Sequence, residues 1–238
     1  DWANFALEYP RFRMNDDREV SCYALMLDHQ AGKEVHDEAL ATWLAQRDAD
    51  DGCALMAATL VDAKKFSNAD LWRKVRFAID AGRPKAARQA AVLIGVWPAT
   101  SVAELSDSPL RYLAKSASAS TRPGAELAAL ALMRLASTDP DAAAQQLNDR
   151  WDRSLPPDLA AWSWASVGKQ AALKLLPEAT EHFQRAALRA SREGAEPDWP
   201  DDTLAWKVRA ALRADGGRGR WQQVMQGINA MGAEQQRD

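Results

Sequence analysis

The chain has 238 residues, a formal net charge of −3 and a pI near 5.7. That length allows a sizeable buried interior but sits near the size where one compact core stops growing, so one elongated unit and two domains are both open. The charge balance excludes a nucleic-acid binder, which needs a concentrated basic face; here the arginines are spread among carboxylates.

Apolar runs such as Leu127 to Met133 fall far short of the roughly 18–20 residues that cross a bilayer, so the chain is read as not transmembrane. It begins at Asp1 with neither an initiating Met nor a charged-then-apolar leader, as expected if a signal peptide has been removed or the sequence starts within a longer protein. Ala, Leu, Arg, Glu and Gln dominate while Val, Ile, Thr and Tyr are sparse, which favours helix over strand throughout.

In chain order, the first helical turn signal is Gln30-Ala31-Gly32, where a left-handed glycine closes a helix. Val35, Ala39, Leu40, Trp43 and Leu44 then form an apolar stripe at helical spacing. Asp48 to Gly52 resembles a calcium loop, but its glycine comes one position early and Thr59 stands where a bidentate Glu belongs; it reads as an acidic turn into the helix holding Cys53. Ser67 to Asp70 is a capping box ahead of a second stripe, Leu71, Val75, Ala78 and Ile79, which ends at Asp80-Ala81-Gly82. Asp139 followed by Pro140 is a cap with proline in the first turn. The last stripes are Leu204, Val208, Ala211 and Leu212, closed at Ala214-Asp215-Gly216-Gly217, and then Trp221, Val224, Met225 and Ile228.

Prolines gather at Val96 to Pro109, Leu155 to Pro157 and Glu196 to Pro200, marking irregular joints, since the residue before proline is pushed out of helical geometry. None is long or polar enough for a flexible linker, so 1–238 is read as a single elongated domain.

Two segments resemble each other, Leu71 to Gly82 and Leu204 to Asp215, both carrying Lys-Val-Arg on the first helix of a hairpin. A helix pair cannot bury its stripe alone, whereas stacked pairs form a continuous core. The expected fold is all-α, a superhelical α-solenoid of stacked helix hairpins of the tetratricopeptide type, with a right-handed superhelix.

Chemistry-bearing motifs are missing. There is no GxGxxG, GxxxxGK[ST] or GxSxG, and most acidic residues lie in turns or on polar faces as ordinary solvated carboxylates. His29 and His36 stand near Asp28, Asp37 and Glu38, but seven residues across a glycine turn matches no ligand spacing, so no metal and no cofactor are expected. The two cysteines, Cys22 and Cys53, are too few for a zinc site and have no partner that makes a nucleophile. They are either buried thiols or, in an exported protein, a structural disulfide. Of the ten tryptophans, Trp43, Trp72, Trp206 and Trp221 lie on or beside core stripes. Trp162 and Trp164 stand two apart on a helix and point about 200° from one another, so one of the pair is expected at the surface, where its ring could contact glycan.

The order Cys22, Gly32, Trp43, Cys53 and then Leu71-Trp72 through Ala81-Gly82 resembles the helical region of the soluble lytic murein transglycosylases. The Ala161-Trp162 helix, the Gln184-to-Arg192 helix and Trp206 to Leu212 followed by Trp221 are similar to that family's later hairpins in the same order. This resemblance implies a superhelical U-shaped domain of a periplasmic enzyme that cleaves the MurNAc–GlcNAc β-1,4 bond of peptidoglycan and releases 1,6-anhydromuropeptides, with one glutamate as acid and then base and no cofactor. It also implies that Cys22 and Cys53 pair as a disulfide. The family's catalytic domain carries its glutamate in a Glu-Ser pair, followed by Gly-Leu-Met-Gln and Tyr-Asn-Ala-Gly stretches, and none of the three occurs here. The expected role is therefore the non-catalytic scaffold of such an enzyme, with glycan strands and its own catalytic domain as partners. The alternative is an α-solenoid adaptor that binds a protein or peptide.

Overall fold

A computed structural model of the chain describes residues 2–12, 17–191, 198–214, 220–232 and 236, and among them helix follows helix with no strand. Two compact units are resolved, Asp1–Ala103 and Glu104–Asp238. The first contains α1 (Trp2–Phe12), α2 (Arg18–Gln30), α3 (His36–Ala45), α4 (Asp51–Asp62), α5 (Asn68–Asp80), α6 (Pro84–Ile94) and the start of α7 (Val96–Asp107). The second holds α8 (Pro109–Lys115), α9 (Arg122–Thr138), α10 (Pro140–Gln146), a π turn (Leu147–Trp151), α11 (Asp152–Ser154), α12 (Pro157–Leu173), α13 (Ala179–Ala190), α14 (Asp201–Arg213) and α15 (Arg220–Asn229).

The helix boundaries follow the local chemistry of the sequence. Asp50 accepts the Cys53 backbone N–H and starts α4; Ser67 and Asp70 exchange backbone and side-chain hydrogen bonds as a capping box at α5; Asp139 accepts from the Ala142 N–H before α10. Gly32 and Gly82 close α2 and α5 at φ 83° and 70°, where a side chain is disfavoured. Gly216 and Gly217 lie outside the described residues. Lys64 and Leu175 close α4 and α12 with φ of 59° and 60°, a conformation no glycine announces in the sequence.

The stripes bury as their periodicity requires in the first unit: Val35, Ala39, Leu40, Trp43, Leu71, Val75, Ala78 and Ile79 all face the interior. Helices α2 and α4 pack closely. A Cβ on Gly52 would lie 2.6 Å from Cγ of Glu19 and 2.8 Å from its backbone oxygen, so only glycine permits this approach. The Gly52 N–H donates to the Glu19 carboxylate, and next to it Cys22 and Cys53 are joined as a buried disulfide with Cα atoms 4.9 Å apart.

In the second unit α12 is the hub, packed by α9, α10, α13 and α14 and buried almost without interruption from Leu159 to Ala172. Arg122 at the start of α9 binds both Glu126 on its own helix and Asp158 on α12, at 2.9 and 2.5 Å, which compensates the buried Glu126 carboxylate. Gly168 lets α13 come close, since a Cβ there would lie 3.0 Å from the Phe183 ring. Three stripe residues near the end depart from expectation, the first being Leu212, 46% exposed at the end of α14. Trp221 is 64% exposed and Met225 53%, because α15 buries only its Val224 and Gly227 side against α14.

Candidate functional site: a cleft between the π turn, α12 and α13

Trp162 and Trp164 are both buried, at 5% and 1% exposure, which corrects the expectation that one of them reaches the surface. Residues two apart do point to opposite sides of a helix, but α12 is covered on all of those sides, so opposite sides are both interior. Neither indole therefore offers an open face on which a sugar ring could stack.

Trp164 instead forms the floor of a small cleft. Its indole N–H donates to Asp152 Oδ1 at 2.8 Å, the imidazole of His182 stacks on it at 5.5 Å with 19° between planes, and the Arg185 guanidinium sits 4.8 Å from the ring centroid. Leu188 and Arg189 complete a cavity of about 230 Å³. Its polar rim is set by the π turn. Asn148, within the turn, accepts from Arg185, and Asp152, immediately after it, accepts from Arg189 Nε at 2.7 Å and from Arg189 Nη2. A π turn offsets the residues that follow it relative to an α-helix, and such turns recur at functional positions.

The electrostatics of the cleft are those of fixed charges. Burial pushes the Asp152 carboxyl up, but hydrogen bonds from Arg189 and Trp164, together with the charges of Arg189 and Arg185, outweigh it and hold the group below the ordinary carboxylate range. The Asp152 hydrogen bond raises Arg189 in turn. Held ionised in this way, Asp152 is poorly suited to donate a proton; with Arg185 and Arg189 it suits recognition of polar groups rather than general acid catalysis.

His182 is buried beside the cleft, and its Nδ1 has no hydrogen-bond partner among the described residues. Burial, with a smaller contribution from Arg185, lowers its pKa below the ordinary 6.5, against opposing effects from Glu181, Glu178 and Asp141. A histidine depressed in the folded state leaves the unfolded chain binding more protons as pH drops through 6.5, so folding loses stability on acidification. Thermal melting at pH 5 and pH 7 measures this: the drop in midpoint is expected to be smaller in His182→Gln than in the parent.

The other residues singled out in the sequence occupy ordinary positions. His36 contacts Asp37 at 2.8 Å and stands 3.9 Å from Asp70, and no cluster of three potential ligands forms among the described residues. No helix among them is long and apolar enough to cross a membrane. The Asp152–Arg189–Trp164 set escaped sequence reading because its members come from three helices 12 and 37 residues apart.

No family model matches the sequence, and no curated protein matches it. Among solved structures the chain is similar to the lytic transglycosylase Slt of Pseudomonas aeruginosa, solved as an inactive mutant, with a TM-score of 0.56 and 20% sequence identity. The similarity covers 98% of this chain and 37% of that one, so the chain spans well under half the length of the enzyme it resembles. At that identity what is shared is the all-helical fold, along nearly the whole of this chain.

Proposed function

We propose that this chain is a non-catalytic scaffold portion of a periplasmic peptidoglycan lytic transglycosylase, holding glycan strands for a catalytic domain whose marker stretches its sequence lacks. The observation that carries this reading is the similarity of 98% of the chain to little more than a third of a lytic transglycosylase. The buried Cys22–Cys53 disulfide supports it, because such bonds persist in oxidising compartments, the periplasm among them. Both units act as one scaffold in this reading. Digestion of purified sacculi with this polypeptide alone tests the absence of chemistry: no 1,6-anhydromuropeptides are expected by mass spectrometry, and their release would overturn the assignment.

A second reading, a peptide-binding adaptor, is favoured by one feature of the first unit. Val92, Val96 and Trp97, around the turn between α6 and α7, are 60%, 85% and 55% exposed, and exposed apolar groups of this kind mark protein contacts. An adaptor would have no affinity for peptidoglycan, which separates the two readings.

A further inference from the structure

Lys74 on α5 is a buried cation set against the end of α3. It is 4% exposed, and its ammonium donates to the backbone oxygens of Trp43 and Gln46 at the end of α3. An ammonium has three donors; two go to these oxygens, the Trp43 ring lies 5.6 Å from it, and among the described residues no carboxylate forms an ion pair with it. Asp50, the carboxylate whose charge acts on it, is occupied by the Cys53 N–H and by the Gln46 side chain. Burying a charge is costly unless it is paired, so this lysine stands in an unusually receptive state for an anion.

Beside it lies an unfilled space. Ala54 and Ala58 on α4 face Ala86 and Ala90 on α6, two alanine pairs one helical turn apart, and these short side chains leave a cavity of about 280 Å³. Trp43 forms one wall and exposed Val92 stands at the mouth. The lining is otherwise apolar, apart from Gln89, whose side chain donates to the Asp50 backbone oxygen. The volume is roughly twice the ~150 Å³ that suffices for benzene in an apolar protein cavity.

We infer that this cavity is a binding site for a small apolar monocarboxylate, whose tail fills the alanine-lined space and whose carboxylate supplies the counter-charge that Lys74 lacks. This site is independent of the peptidoglycan reading. The ligand neutralises a buried charge as well as burying apolar surface, which distinguishes it from an uncharged molecule of equal size.

Protonation supplies a second signature. Burial, opposed by Asp50 and reinforced by Arg18, lowers Lys74 from 10.5 to about 8. Carboxylate binding needs the ammonium, so affinity is expected to fall as pH rises through about 8.

The test is calorimetric titration of the full chain with octanoate, 1-octanol and octylamine. Octanoate is expected to bind one to one and at least about 10-fold tighter than octanol, with octylamine weakest, and to weaken at least about 10-fold between pH 7 and pH 10. Lys74→Met should bring octanoate down to the level of octanol, while Ala90→Leu, which fills the cavity and leaves the ammonium in place, should weaken both. Equal binding of octanoate and octanol, a preference that survives in Lys74→Met, or affinity indifferent to pH would each overturn the site. Should Lys74→Met fail to fold, the alcohol comparison and the pH profile of the parent protein decide.

Discussion

Trp164→Ala is expected to lower the unfolding free energy by about 3–5 kcal/mol, the range for emptying a fully buried tryptophan site. The residue is 1% exposed at the centre of α12, and its loss leaves Asp152 without one of its donors and removes the rings' stacking with His182 and the contact to Arg185. Urea unfolding followed by circular dichroism should show a lowered midpoint with an unchanged slope, whereas Trp221→Ala, at an exposed position, should stay within about 0.5 kcal/mol of the parent. If Trp164→Ala behaved like Trp221→Ala, the description of α12 as the hub of its unit would be wrong.

Removing the disulfide has an effect of similar size in the other unit. Cys22 and Cys53 close a loop across a separation of 31 residues, for which chain-entropy arguments give about 3–4 kcal/mol of stabilisation. Reduction, or the double change to alanine, should lower the unfolding midpoint accordingly. Intact-mass measurement after alkylation checks the bond itself: no thiol should be labelled before reduction and two afterwards. Two labelled thiols in unreduced protein from an oxidising compartment would remove both the bond and its support for export.

What the sequence made legible was local. Capping at Ser67 and Asp139, the left-handed glycines at 32 and 82, and the stripe from Leu71 to Ile79 each depend on residues within one or two turns, so composition and spacing contain the answer. What it left hidden was set by how many neighbours a helix has. Periodicity marks one buried face, but α12 is buried on every face and α15 on little more than one, which is why Trp164 is interior and Trp221 exposed. The π turn and the left-handed Lys64 and Leu175 follow from packing that no short motif records. Lys74 belongs to the same class: Lys-Val-Arg occurs twice and both lysines lie over a tryptophan ring, Lys74 5.6 Å from Trp43 and Lys207 5.7 Å from Trp199, yet among the described residues only Lys74 also reaches the carbonyl groups ending a neighbouring helix.

Co-sedimentation of the chain with purified sacculi tests the proposed role most directly. A scaffold for glycan strands should pellet with the sacculi in a saturable manner and be released by soluble glycan fragments. A chain that stays in the supernatant at every sacculus concentration would contradict the peptidoglycan reading and leave the adaptor in its place.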